Sequence, residues 1–220
     1  MTAALDHLRK IPLFSLMSDD HFEQLKQSVI TRKFGKNNPI CYCGDFDNKF
    51  YFIDSGSVKV SITSNDGKEI ILAVLTEGEY FGEMSLIDDQ PRSADVETRE
   101  TTILHIITKE NFEQIFATDK TVTTNLLKEM THRLREADKK IESLAMMDVY
   151  QRIARVFDSI SILKDGKRFI ETRITHQDIA NMVAASRERV SKIMKTLEQS
   201  GYISKINHII CINRKLPYRF

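Results

Sequence analysis

Residues 78–96 read GEYFGEMSLIDDQPRSADV. Phe81-Gly82 ends a strand-like run, and Glu83 to Leu86 can form a single helical turn. The first backbone N–H groups of such a turn have no intrahelical acceptor, so they make an anion site. Arg92 follows a Pro-fixed turn, and its guanidinium can return over the same site with two parallel donors. A carboxylate beside an anion site fits a ligand that carries hydroxyls as well as phosphate. Glu83 suits a ribose 2′-OH, as acidic residues do in dinucleotide sites. The same residues also admit an ordinary Arg92–Glu83 ion pair closing a loop, and taken alone they favour neither reading.

Outward from this stretch, residues 31–108 alternate short β-rich runs (50–53, 58–62, 70–75, 103–107) with turn signals. Those signals are Asn37-Asn38-Pro39, Cys43-Gly44-Asp45, Asp54-Ser55-Gly56, Asn65-Asp66-Gly67 and Glu77-Gly78-Glu79. Short strands with such punctuation predict a small barrel or sandwich, with a hairpin at Asn65-Asp66-Gly67. Residues 1–30 instead carry helical signals. Leu8, Ile11, Leu13, Phe14 and Leu16 come first, then Phe22, Leu25 and Val29 after Ser18-Asp19-Asp20.

Residues 111–147 contain neither Pro nor Gly, and the period becomes helical. Leu127, Met130, Leu134, Ala137, Ile141 and Leu144 follow at 3-4-3-4-3 spacing, with charges on the remaining faces. A seam this narrow predicts a homodimer more readily than one amphipathic helix lying on its own domain. Asp148 is a suitable N-cap for the next helix, which makes Met146-Met147-Asp148 a candidate hinge.

Residues 175–203 read THQDIANMVAASRERVSKIMKTLEQSGYI. Thr175 can cap a short helix with Ile179, Ala180 and Val183 inward. Ala184-Ala185-Ser186 is a tight corner, and Ser186 can cap a second helix that buries Val190, Ile193, Met194 and Leu197. The runs 202–206 and 209–212, separated by Asn207-His208, suggest a β-hairpin wing. Arg187, Glu188, Arg189, Ser191 and Lys192 face outward near the start of the second helix. That is where a DNA recognition helix meets base edges, Arg or Lys bonding guanine and Glu accepting from cytosine. The corner is often Gly in helix-turn-helix motifs, so Ala184 predicts a backbone that avoids a strongly left-handed conformation there.

Charge divides the chain in the same place. The net charge is +1, but residues 1–110 carry 12 Lys/Arg against 18 Asp/Glu, and residues 148–220 carry 14 against 7. A basic C-terminal third points to a polyanionic partner. The 220 residues, 41% hydrophobic and 29% charged, suffice for one large or two small domains and argue against disorder. Apolar runs of about six residues fall far short of the roughly 20 that span a bilayer, so no membrane association is expected. The opening MTAALDHLRK has no apolar core of a secretory signal, and three cysteines make no disulfide framework. A cytoplasmic protein is expected.

The segment 78–96 resembles the phosphate-binding cassette of cyclic-nucleotide-binding domains in Phe81, Gly82, Glu83, Pro91, Arg92, Ser93 and Ala94. With the long helix and the helix-turn-helix, residues 10–212 are similar to the CRP/FNR family of bacterial transcription regulators. The resemblance implies an α+β fold: an N-terminal jelly-roll-like β-roll sensor (1–115), a dimerisation helix and hinge (116–147), and a C-terminal winged helix-turn-helix (148–220). It implies that Glu83 holds the ribose hydroxyl, and that Arg92 and Ser93 hold the cyclic phosphate with backbone N–H groups near Gly82, Met84 and Ser85. Arg133 resembles the arginine that braces the pocket. The expected DNA-contacting set is Thr175, His176, Gln177, Ser186, Arg187, Glu188, Arg189, Ser191 and Lys192. Arg187, Glu188 and Lys192 fall where cyclic-AMP-responsive members read DNA, and Arg189 stands where Thr is frequent.

Those members bond adenine through a Thr-Ser pair on the dimer helix, matched here by Ala137 and Asp138. Ala137 cannot bond a base. Asp138 can accept adenine's N6 hydrogens or pair bidentately with guanine N1–H and N2–H₂. Family weight favours cyclic AMP, with cyclic GMP or cyclic di-GMP as rivals, and binding of DNA without ligand as a further alternative. The expected partners are an inverted-repeat operator, a second copy of the chain and RNA polymerase.

Other chemistries find little support. Cys41 and Cys43 are too few for an iron–sulfur cluster; strand spacing puts them on one face as core or solvent thiols. His105 is the best-placed haem ligand but reads as a core or pocket-wall residue. His7, His21, His132, His176 and His208 lack metal-ligand spacing. No nucleophile–base pair accompanies Glu83 or His105, so no enzyme is expected. The basic helix-turn-helix argues against a purely regulatory subunit.

Overall fold

The computed structural model describes residues 5, 8–9, 11–164, 166–206 and 209–217. The chain forms two compact units, Met1–Leu134 and Arg135–Phe220, which meet within one long helix.

In the first unit, α1 (Asp19–Ser28) precedes β1 (Ile30–Phe34), β2 (Pro39–Cys41), β3 (Lys49–Ser55), β4 (Ser57–Thr63), β5 (Glu69–Thr76) and β6 (Tyr80–Phe81). A short helix α2 (Met84–Asp88) leads to β7 (Asp95–Thr98), β8 (Thr102–Thr108), α3 (Lys109–Thr118) and the start of α4 (Lys120–Met146). The strands make two antiparallel four-stranded sheets, ordered β1-β8-β3-β6 and β2-β7-β4-β5. This is the expected β-roll.

The period of two along Phe50-Tyr51-Phe52-Ile53 explains the layering. Tyr51 and Ile53 point into the space between the sheets with Val58, Phe81, Val96 and Leu104. Phe50 and Phe52 point the other way, onto Phe14, Phe22, Leu25, Phe112, Ile115 and Val122 of the helical layer. All four side chains of that run are buried, because this sheet has a hydrophobic core on each face.

Ser18 caps α1, accepting from the His21 N–H. The start of α4 is held by Asp119, whose Oδ1 accepts from Thr121 N (2.9 Å) and Val122 N (3.3 Å). Its Oδ2 lies 3.1 Å from His21 Nδ1, tying α1 to the long helix. The two neighbouring cysteines do not share a face. Cys41 ends β2 and is buried, whereas Cys43 lies beyond it, where the chain has left the strand, and is exposed. Burial raises the Cys41 thiol pKa to about 11, which makes it inert.

The second unit contains the rest of α4, then α5 (Val149–Ile160), β9 (Ile162–Lys164), β10 (Lys167–Ile170), α6 (His176–Val183), α7 (Arg187–Gln199), β11 (Ile203–Ile206) and β12 (Ile209–Ile212). Asp148 caps α5 with a reciprocal bond from Gln151. The strands pair antiparallel in the order β11-β12-β10-β9, so the wing joins a second hairpin. The turn residues Asn207 and His208, like His7, lie outside the described residues. Ile153, Phe157, Ile179, Ala180, Val183, Val190, Met194 and Leu197 share one core.

One expectation about the corner is overturned. Ala184 does adopt the left-handed conformation, at φ 51° and ψ 57°. That geometry lets the Ala184 and Ala185 N–H groups both reach the Ala180 carbonyl, closing α6 before Ser186 opens α7. Tertiary closure of the two helices outweighs the local cost of about 1–2 kcal/mol for an L-residue there. Ala184→Gly is therefore expected to stabilise the C-terminal unit by about 0.5–1 kcal/mol, after allowing for glycine's extra entropy in the unfolded chain. Urea unfolding of the full chain checks this, and a lower midpoint would refute it.

Candidate functional site

Glu83 and Arg92 are both charged side chains in the interior, 2% and 4% exposed. Gly82 brings them there. At φ +88° the chain leaves β6 in a conformation that suits glycine, and a Cβ would sit 2.6 Å from Arg92 Nη1 and 2.9 Å from the Lys49 carbonyl. Arg92 Nη1 donates to the Gly82 carbonyl (2.7 Å) and to Ser85 Oγ (2.8 Å). Its Nη2 donates to the Lys49 carbonyl (2.6 Å) and to Asp47 Oδ2 (3.1 Å).

Glu83 pairs with Arg133 rather than with Arg92. Arg133 Nη1 donates to Glu83 Oε1 at 3.1 Å, Nη2 donates to the Tyr80 carbonyl at 2.8 Å, and Nε reaches Glu129 at 3.3 Å. The guanidinium also lies 4.7 Å from the centre of the Tyr80 ring. Burial pushes the Glu83 pKa up, and Arg133 opposes it.

Three buried atoms in this network have no hydrogen-bond partner: Glu83 Oε2, Arg92 Nε and Tyr80 Oη. Folded proteins rarely leave such groups unsatisfied. Glu83 Oε2 offers an acceptor, Arg92 Nε a cationic donor and Tyr80 Oη a hydroxyl.

Of the remaining residues expected at this site, Ser85 is buried on Arg92, and Met84 and Ser93 are exposed and adjacent, with Ser93 Oγ 3.8 Å from Met84 Sδ. Asp138 is exposed on the part of α4 that belongs to the second unit. Sequence reasoning missed Asp47, which lies 45 residues from Arg92 in a turn with no motif of its own. It also missed Tyr80 as the aromatic floor beneath Arg133.

In the second unit the expected DNA-contacting residues fall into two groups. Arg187, Glu188, Arg189 and Lys192 are exposed along the start of α7. The others are engaged in building the motif. Thr175 and Ser186 cap α6 and α7, accepting from Asp178 N and Arg189 N. Gln177 donates to Asn181. His176 Nδ1 lies 2.9 Å from Ser191 Oγ, and its Nε2 is 3.3 Å from Lys205 Nζ on the wing. Burial and then the Lys205 charge lower the His176 pKa, so the ring is neutral and suited to tying α6, α7 and β11 together.

Comparison with known proteins follows this division. Residues 31–119 match the cyclic nucleotide-binding domain, and residues 151–216 match the Crp-like helix-turn-helix domain. The cAMP-activated global transcriptional regulator Vfr of Pseudomonas aeruginosa is 30% identical over 190 residues, covering 83% of this chain and 89% of Vfr. The cyclic AMP receptor protein of Thermus thermophilus is 31% identical over 192 residues, covering 87% and 88%. Among solved structures, the c-di-GMP responsive regulator CLP of Xanthomonas campestris superposes with a TM-score of 0.76 at 24% identity, covering 89% of this chain and 99% of CLP. The described helices include none long and apolar enough to cross a membrane.

Proposed function

The chain belongs to the CRP/FNR family of transcription regulators, and from that premise we propose that it is a homodimer that takes a cyclic nucleotide in its roll and binds an inverted-repeat operator. The observation that carries the ligand reading is the buried pair of unpartnered atoms, Glu83 Oε2 and Arg92 Nε. Glu83 accepts from the ribose 2′-OH. Arg92 Nε, Ser93 and the backbone N–H groups near Gly82, Met84 and Ser85 take the cyclic phosphate. Arg133 holds Glu83 in place from the long helix.

The dimer reading rests on the seam of α4. Leu127, Leu134 and Ile141 are 63%, 64% and 65% exposed in the single chain, and a second copy would cover them. Two recognition helices then stand about 34 Å apart, which matches an inverted repeat. Arg187, Glu188 and Lys192 read base edges, Arg189 reaches bases or phosphate, and Thr175, His176, Gln177, Ser186 and Ser191 support the helix and contact the backbone. RNA polymerase is the further partner, and the cytoplasm is the compartment.

Cyclic AMP is the effector favoured by the named relatives. A guanine nucleotide is the second reading, favoured by Asp138, whose carboxylate pairs bidentately with guanine. Calorimetric titration of the full chain with cyclic AMP, cyclic GMP and cyclic di-GMP tests both. Saturable binding of one of them is expected, with an Asp138→Ala change in the adenine/guanine preference. An adenine/guanine preference left unchanged by that substitution would remove Asp138 from the site, and binding of none would remove the ligand reading. A footprint with one unpaired half-site would overturn the dimer.

A further inference from the structure

Arg92 has five N–H donors, and four already have acceptors. Two of these are backbone carbonyls, at Gly82 and Lys49, and one is the Ser85 hydroxyl. The fourth is a carboxylate, Asp47, at 3.1 Å. A phosphate arriving at this guanidinium thus meets an anion already bound to it.

Asp47 is built to hold that place. It accepts from Tyr51 Oη at 2.6 Å and pairs with Lys49 Nζ at 3.1 Å. The turn that carries it is strapped to the Arg92 segment by backbone bonds, Arg92 N to the Asp45 carbonyl (2.8 Å) and Gly44 N to the Arg92 carbonyl (2.9 Å). Burial works to raise the Asp47 pKa, but bonds from Tyr51, Lys49 and Arg92 hold it below the usual carboxylate range, so it is ionised.

We infer that Asp47 is an internal competitor for the effector's phosphate, and that it sets affinity at the phosphate end of the ligand whatever the base. This rests on the cyclic-nucleotide reading above. The phosphate takes the unpartnered Nε and either displaces Asp47 from Nη2 or binds against its charge. Displacement does not strand Asp47, because Tyr51 and Lys49 remain its partners. A like charge facing the ligand at close range weakens binding, and removing it strengthens binding.

The test is calorimetric titration of the wild-type chain and of Asp47→Asn and Asp47→Ser with cyclic AMP and cyclic GMP, with thermal melts of each ligand-free protein. Both variants are expected to bind each nucleotide at least about tenfold more tightly, by the same factor for the two bases. Their ligand-free forms are expected to melt lower than wild type, having lost the Arg92 pair. A purely positioning role predicts the opposite coupling, with affinity falling along with stability. Unchanged or weaker binding by folded variants, or a gain confined to one base, overturns this inference alone. Binding by neither wild type nor variants overturns it together with the cyclic-nucleotide reading.

Discussion

Arg92→Ala is expected to destabilise the N-terminal unit by about 3–5 kcal/mol, the range for removing one partner from a buried, hydrogen-bonded charge pair. The loss is large because the one side chain satisfies four acceptors drawn from two separate segments, Asp47 with the Lys49 carbonyl and the Gly82 carbonyl with Ser85, and ties both to its own turn. Its removal leaves Asp47 facing only Tyr51 and Lys49, and leaves two carbonyls without their donor. Arg92→Lys is expected to recover little of this, since a single ammonium cannot reproduce the planar fork that reaches both carbonyls at once. The chain contains no tryptophan, so urea unfolding is best followed by far-ultraviolet circular dichroism and tyrosine emission. An Arg92→Ala midpoint equal to wild type would mean that the network is not holding the roll together. Effector binding by this variant is expected to be lost as well.

Glu83→Gln is expected to separate stability from function. The carboxylate is buried, one oxygen rests on Arg133, and the other has no partner. Replacing it with a neutral amide should weaken cyclic-nucleotide binding on the order of a hundredfold, because a charge-assisted bond to the ribose hydroxyl is lost in the interior. The ligand-free protein should nevertheless become more stable by about 1 kcal/mol, which is about 2–4 °C in Tm for a chain of this size.

The sign follows from the raised pKa of Glu83. Between the ordinary carboxylate pKa and the higher folded-state value, the folded chain holds more protons than the unfolded chain. Stability therefore falls as pH rises through that window. The cost is fully present only above the folded-state pKa, so the advantage of Glu83→Gln grows as pH rises through that window. It should shrink as pH drops toward the ordinary carboxylate range. Thermal melts across pH check this, and a variant whose Tm falls below that of wild type as pH rises would show that the Arg133 pair outweighs the burial cost.

Much of this architecture is legible along the chain because its causes are local. The alternation of 50–53, the helical period of 127–144, the caps at Asp148, Thr175 and Ser186, and the basic run on α7 each depend on residues within a few positions of one another. The same is true of the cassette's residue types. Glu83, Arg92 and Ser93 stand out through the resemblance of 78–96 to the phosphate-binding cassette, whereas their spacing alone leaves an ordinary ion pair equally open.

The pairings among them do not. Glu83 could close on Arg92 by proximity in sequence, yet it meets Arg133, 50 residues away, and Arg92 meets Asp47, 45 residues in the other direction. Both choices follow from sheet closure, which carries β3 beside β6, and from the packing that brings Arg133 of α4 onto Tyr80. Ala184 is left-handed because two helices must close over one core, and Cys41 and Cys43 part company because β2 ends between them. Local propensities act over a turn of helix or a pair of strands. The partner of a buried charge is chosen by whichever distant segment the closed core brings within about 3 Å, since an unpaired charge there is too costly to leave.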